Sequence, residues 1–384
     1  MGRSRAGISA PHFSLPWAGR ASRLRSMATK TETLLRRFTE AHGPSGYEGE
    51  VREVFVEELE GVGSFSADRT GSVVCDLGGE GPRVMLEAHM DEVGFRVQSV
   101  SSKGFLQLIA VGGWWPHVLL AQQLVVKTGG GRKIVGVVGS MPPHFLPEAE
   151  RARVMSLESM FVDIGATSPE EVAEMGVRVG DPVAPRTSFE PMERKGRYLA
   201  KAFDNRVGMA AVVEAGQKLD RIKPTNRILL AGSVQEELGL RGVRTLARHA
   251  KPDVAIILEG TPADDTPGFR PDESQGRLEG GVQIRMHDPS AIMNPRLVDF
   301  AIETAEEEKI PYQLAVRRGG GTDAGEMHLS GEGVPSMVLG VPSRYIHSHN
   351  SIIDLSDYRA MVDLSVALIK RLGAEQVAKF TEFL

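Results

Sequence analysis

The chain of 384 residues holds one cysteine, Cys75, and its aromatic residues amount to only 6%. A single thiol excludes an internal disulfide framework and a cysteine-rich metal site, and it fits a reducing, cytoplasmic compartment. No stretch approaches the roughly eighteen consecutive apolar residues of a membrane-spanning helix. A basic surplus is also missing. Lys and Arg number 45 against 50 Asp and Glu, a formal net charge of -5, so no general cationic field is available to grip nucleic-acid phosphates. No membrane and no nucleic-acid partner is expected. What remains is 41% hydrophobic, enough for a large core, on a chain long enough to divide into two domains.

Acidic residues are absent from one region, the first 26 positions, which carry Arg3, Arg5, Arg20, Arg23 and Arg25; the first acid is Glu32. This composition resembles an organelle transit peptide. A disordered tail, or an upstream start ahead of a true start at Met27, explains it more simply, and either way residues 1–26 stand outside the fold.

From Lys30 onward the hydrophobic pattern alternates between helix and strand. Helices are predicted at Lys30–His42 and at Gly46–Leu59, the second with Ser45 as N-cap and Glu48 as its capping-box partner. Strands follow at Val73–Leu77 and Arg83–Ala88. Further on come helix Arg206–Leu219, strand Arg227–Gly232, helix Gly242–Ala250 and strand Asp253–Leu258. Helix Pro295–Lys309, strands Tyr312–Val316 and Ser336–Leu339 and a helix from Asp357 close the pattern. The expected fold is α/β, a mostly parallel sheet flanked by helices. Between Gly94 and about Tyr198 short β-like runs alternate with Gly129-Gly130-Gly131 and Pro142-Pro143, which reads as an inserted β-rich domain. The division is therefore 27–93 with 199–384 as one domain and 94–198 as the insertion. All catalytic candidates fall outside the insertion, which points it toward assembly or gating.

Five segments carry His and carboxylate residues at or just beyond the ends of apolar runs, where a sheet presents side chains to a cleft: Glu87–Asp91, Asp204-Asn205, Glu236-Glu237, Glu259-Gly260 and His347–His349. His89 and Asp91 sit two apart at a strand end and share a face, so the carboxylate can hold one imidazole nitrogen while the other binds a metal. Alone, His89 would read more simply as a satisfied core histidine. Asp204, just ahead of a helix, is either an N-cap or a carboxylate bridging two metals. Glu236 and Glu237 are like charges in one cleft and need a cation or a shared proton, which one ligand and one general base would satisfy. Glu259 ends the buried run Val254–Leu258 and needs a partner for its charge. His347 and His349 compete for the last ligand position. His12, His42, His117, His144, His249, His287 and His328 lack such context.

Taken together, Glu87–Phe95 (EAHMDEVGF), Asp204–Gly208 (DNRVG), Gln235–Gly239 (QEELG), Gly320–Gly325 (GGTDAG) and Arg344–Ser348 (RYIHS) resemble the glutamyl aminopeptidase family of dinuclear metallopeptidases, which includes the tetrahedral (TET) aminopeptidases. The resemblance runs from about Met27 to the C-terminus. It implies one metal on His89, Asp204 and Glu259 and a second on Asp204, Glu237 and His347. It also implies Glu236 as general base, Asp91 orienting His89, and two divalent ions per subunit, zinc first, with cobalt or manganese as alternatives. Oligopeptides would be the substrates. The β-rich, barrel-like insertion would be a dimerisation domain, with dimers assembling into a hollow dodecamer. The glycine loop, with Gly320, Thr322 and Asp323, resembles one that lines the substrate pocket; read from the residues alone, it is a tight turn exposing Thr322 and Asp323.

The chain departs from the family pattern at Glu259, where many relatives carry aspartate, at Leu278–Gly281 and at Trp114–His117. Three other readings stay open. A related two-metal deacylase or carboxypeptidase would need a basic anchor among Arg317, Arg318 and Arg344. A glycoside hydrolase would use two carboxylates but leaves His89 and His347 unexplained. An assembly scaffold would have lost catalysis.

Overall fold

Nine strands form the central sheet of the computed structural model, which describes residues 29–270 and 272–384. The Arg-rich residues 1–26 lie outside the described residues. Across the sheet lie Ser64–Ala67, Val73–Asp76, Arg227–Ser233, Arg83–His89, Val254–Pro262, Ser336–Ser343, Val282–Asp288 and Ala291–Ile292, in that order, with Tyr312–Val316 paired to Val282–Asp288. The four middle strands run parallel. Their neighbours on both sides, Val73–Asp76 and Val282–Asp288, are antiparallel to them. Sequence explains the centre: Val254–Leu258 and Met337–Leu339 are apolar without alternation, as strands covered on both faces must be, and every one of these residues is buried.

Helix Phe203–Ile222 packs on strands Val254–Pro262 and Arg83–His89, and helices Lys30–Glu40 and Leu355–Arg371 pack against it. Two glycines bring it close to the sheet: a Cβ on Gly208 would stand 2.3 Å from the Leu258 carbonyl oxygen, and one on Gly216 2.1 Å from a methyl of Leu230. This close approach buries Leu230, Met209 and Val213 completely, each contributing about 1.5–3 kcal/mol. Helix Lys30–Glu40 starts with a full capping box between Thr29 and Glu32. The box expected at Ser45 does not form. Helix Gly49–Glu58 begins after Glu48 with no side-chain cap, because the Ser45 hydroxyl donates to Asp91 (2.6 Å) and the Glu48 carboxylate accepts from the Gly46 and Gln235 N–H groups.

The β-rich segment closes into a six-stranded barrel of Gly94–Val100, Leu106–Val111, Met160–Asp163, Lys133–Ser140, Gln123–Lys127 and Pro182–Pro185. It has its own core, including Phe95, Val97, Leu106, Leu124, Val126, Val162 and Val183. Glu50 ties it to the sheet domain through Lys127 and Lys133, both at 2.8 Å. A separate three-stranded sheet joins Glu190-Pro191, Arg197–Ala200 and Ser351–Asp354.

Candidate active site

Parallel register brings the distant segments to the C-terminal ends of the central strands. Ser233 lies level with His89, and Ile257 level with Glu87, so Glu259 ends beside His89. Asp204 arrives from a break at the start of helix Phe203–Ile222, where Asp204 (ψ 104°) and Asn205 (φ -121°) leave helical geometry. Asn205 fixes the break. Its Oδ1 accepts the N–H groups of Gly208 (3.0 Å) and Gly260 (3.1 Å), and its Nδ2 donates to the Leu258 carbonyl (2.8 Å). Only glycine serves at 260, since a Cβ there would stand 2.5 Å from the Phe203 carbonyl oxygen and 3.0 Å from the Asp204 Cα. The turn after Val234 delivers Glu236 and Glu237, whose backbone N–H groups both donate to the Asp91 carboxylate, at 2.9 and 3.1 Å.

Two histidine–carboxylate sets meet at Asp204. His89 Nε2 lies 3.1 Å from Asp204 Oδ1 and 3.3 Å from Glu259 Oε1. On the other side, His347 Nε2 lies 3.4 Å from Asp204 Oδ2 and 3.4 Å from Glu237 Oε1. Ligand atoms about 2.0–2.2 Å from a tetrahedral zinc ion stand about 3.3 Å apart, so these separations suit ligands around an ion. His89, Asp204 and Glu237 also place ligand atoms within 4.8 Å of one another. Glu237 Oε1 and Glu259 Oε2 are buried without a hydrogen bond, two carboxylate oxygens that a cation would satisfy.

The charge pattern agrees. Burial, and then repulsion from the other carboxylates, raises Glu237 to about 8 and Glu259 to about 7 against the pull of the histidines. Burial likewise holds Glu236 well above its ordinary range, opposed by His89 and reinforced by Glu237, Asp323 and Glu259. His347 is raised to about 9, since Asp204 and Glu237 outweigh the burial that would lower it. Without a cation these carboxylates resist sharing one negative site, as expected of a place built to hold positive charge.

Several expectations are refined. Asp91 reaches His89 Nδ1 through its backbone carbonyl (3.1 Å), with its carboxylate at 3.5 Å and engaged chiefly with Ser45 and the N–H groups of Glu236 and Glu237. Of the rival histidines, His347 faces the carboxylates, whereas His349 is buried against Trp114 and pushed down to about 4 by burial. Gly319, Gly320, Gly321 and Thr322 line a cleft of about 530 Å³ together with the acidic cluster. The exposed turn does not form. Thr322 is buried and donates its hydroxyl to Asp288 (3.1 Å), while Asp323 points away from the cleft and accepts from the Ser233 hydroxyl.

None of the three basic anchors lines the cleft: Arg317 pairs with Asp264 and Arg344 with Asp265, both at 2.7 Å, and Arg318 is exposed. The cation lining the cleft is instead Arg285, buried and paired with Asp288 at 3.2 Å. Sequence reading missed it because an arginine inside a strand looks solvent-facing; the signal was Asp288 three residues on, which pays for its burial. Asn205 was missed as a clamp because its partners, Leu258 and Gly260, are more than 50 residues away.

The family profile described as M42 glutamyl aminopeptidase matches residues 71–364. Glutamyl aminopeptidase of Lactococcus lactis subsp. cremoris (strain MG1363) is 33% identical over 360 residues, covering 91% of this chain and 98% of that protein. Among solved structures, the TET aminopeptidase of the marine sediment archaeon Thaumarchaeota archaeon SCGC AB-539-E09 superposes with a TM-score of 0.89 at 41% identity, over 92% of this chain and 99% of its own. The TET1 peptidase of Pyrococcus horikoshii, which can assemble into a tetrahedron or a large octahedral shell, gives 0.80 at 30% identity, over 89% and 100%. With the profile spanning most of the chain and these relatives matched nearly end to end, the chain belongs to the M42 glutamyl aminopeptidase family, whose members hydrolyse peptides.

Proposed function

We propose that the chain is a metal-dependent aminopeptidase in which His89, Asp204 and Glu259 hold one divalent ion and Asp204, Glu237 and His347 hold a second. The observation that carries this reading is the pair of histidine–carboxylate sets meeting on the two oxygens of Asp204. Two bound ions, zinc in the first instance and cobalt or manganese as substitutes, supply Lewis-acid polarisation of the scissile carbonyl and acidify a water. Glu236, with Oε2 at 3.9 Å from His89 Nε2 and its pKa raised, takes a proton from the attacking water and delivers it to the leaving amine. Asp91 holds His89 and the Glu236-Glu237 backbone in place.

Arg285, paired with Asp288, is the cation lining the cleft beyond the acidic cluster, and it supports a preference for an acidic first residue. The barrel (residues 94–185) serves dimerisation in this reading, supported by exposed apolar side chains on its outer face, Ile109, Val135 and Val137. Dimers closing into a tetrahedral shell would make a dodecamer. A cytoplasmic location belongs to the same reading and is supported by the lone, buried thiol of Cys75.

Hydrolysis of matched free and N-acetylated peptides, before and after chelation and with zinc, cobalt or manganese restored, tests the proposal. Release of first residues from free peptides alone, lost on chelation and regained with metal, is the expected result. Cleavage of acetylated peptides, or undiminished turnover after chelation, would overturn it.

A further inference from the structure

The barrel enters the active site at one point. Its loop after strand Leu106–Val111 places the Gly113 carbonyl oxygen 3.0 Å from Nδ1 of His347, whose Nε2 faces Asp204 and Glu237. A ring used at both nitrogens is confined to one tautomer: Nδ1–H donates to Gly113, and the Nε2 lone pair is left for a cation. His347's own segment holds the turn but not the ring: the Ser348 and Ser351 hydroxyls donate to the Tyr345 carbonyl (2.7 and 3.3 Å), and neither bond touches the imidazole of His347. Its backbone is left-handed, with φ 56°, as is that of Tyr345 at 60°, a conformation that costs a non-glycine residue about 1–2 kcal/mol. Its side chain is 36% exposed, so packing alone does not fix the ring.

The loop, by contrast, is anchored. The Trp114 indole N–H donates to the Gly94 carbonyl (3.1 Å), and its ring stacks on Phe95 in the barrel core, with centroids 4.7 Å apart. The buried ring of His349 packs against Trp114 at 5.7 Å. Glycine allows the approach. A Cβ on Gly113 would stand 3.2 Å from His347 Nδ1, and one on Gly112 would stand 2.7 Å from a Val93 methyl and 3.3 Å from the Glu237 Cβ.

We propose that this barrel loop is a positioning element for the reaction: the Gly113 carbonyl, held by Trp114, sets the tautomer and direction of His347 and thereby the affinity of the ion on Asp204, Glu237 and His347. The inference rests on the ligand role proposed for His347. It gives the inserted domain a part in the chemistry, although none of its side chains reaches the cleft cluster.

The test is zinc(II) affinity, measured by chelator competition on the full chain for wild type, His347→Ala, Gly113→Ala, Trp114→Ala and Trp114→Phe. The expected result is that Gly113→Ala and Trp114→Ala weaken one of two zinc ions by about 10–100-fold and spare the other, as His347→Ala does more severely. Trp114→Phe, which keeps the stack on Phe95, should recover most of the loss. If His347→Ala loses one ion while both loop variants bind two at wild-type affinity, the loop's role is refuted and the ligand assignment stands. Equal weakening of both ions would also refute it, as damage to the fold rather than to His347. Two ions at wild-type affinity in His347→Ala would refute the ligand assignment and this inference together. Should Trp114→Ala fail to fold, Gly113→Ala and Trp114→Phe still decide the matter.

Discussion

At the scale of single residues, the proposed mechanism separates groups that bind from a group that moves a proton. Glu236 and Glu237 are adjacent, both partly buried and both raised, yet only Glu237 lies within 3.4 Å of a histidine nitrogen. Glu236→Gln is therefore expected to lower kcat by about 10²–10⁴-fold while leaving metal content unchanged, measured by turnover and by metal analysis of the same sample. Loss of an ion in that variant would move Glu236 from base to ligand. Arg285 belongs to a different task. Replacing it with methionine keeps much of the volume and removes the charge, so kcat/KM should fall about 10-fold or more for peptides beginning with Glu or Asp and change little for those beginning with Ala or Leu, a loss of at least ~1.4 kcal/mol. An equal fall for all substrates would mark Arg285 as structural, acting through Asp288.

At the scale of elements, the corner after helix Lys30–Glu40 carries a titration away from the reaction. His42 is buried and neither ring nitrogen has a partner. Burial pushes it from 6.5 down to about 4 against the attraction of Glu92. A depressed folded-state pKa means that the unfolded chain binds the proton first, so this stability is fully present above pH 6.5 and is lost as pH falls toward 4. The loss is at most about 3 kcal/mol from this group, given about 1.4 kcal/mol per pKa unit. Denaturant midpoints between pH 7 and 4.5 should fall less steeply for His42→Gln than for wild type. Parallel slopes would show that His42 does not govern acid sensitivity here. The same corner holds the buried Lys201–Glu92–Arg206 cluster, with Glu92 Oε1 2.7 Å from Lys201 and 3.2 Å from Arg206, so a change there acts on charges already desolvated.

At the scale of the whole molecule, the closed barrel offers no free edge strand for pairing, so the interface proposed on it would use side chains on its outer face. Val135 and Val137 point the same way from strand Lys133–Ser140 and are both well exposed. Val135→Asp with Val137→Asp should reduce the assembly to smaller species, seen as a shift in sedimentation velocity. An unchanged sedimentation profile would place the interface on another surface.

Much was legible in the sequence because it is local. Apolar runs ending in His89, Glu236-Glu237 and Glu259 announce parallel strands that open on a cleft, since strands buried on both faces cannot alternate and their ends are where polar groups return. Strand Val282–Asp288 was not legible, because its polar residues Gln283, Arg285 and Asp288 are buried only through partners brought in by folding. The aim of His347 at Asp204 and Glu237, the aim of Thr322 toward Asp288 and the carbonyl of Gly113 against His347 are likewise decided in three dimensions. Residue type and spacing by themselves determined which chemistry the chain can carry. Tertiary structure decided how those groups are aimed, because a side chain's direction is set by backbone geometry and hydrogen-bond partners that lie tens to hundreds of residues away along the chain.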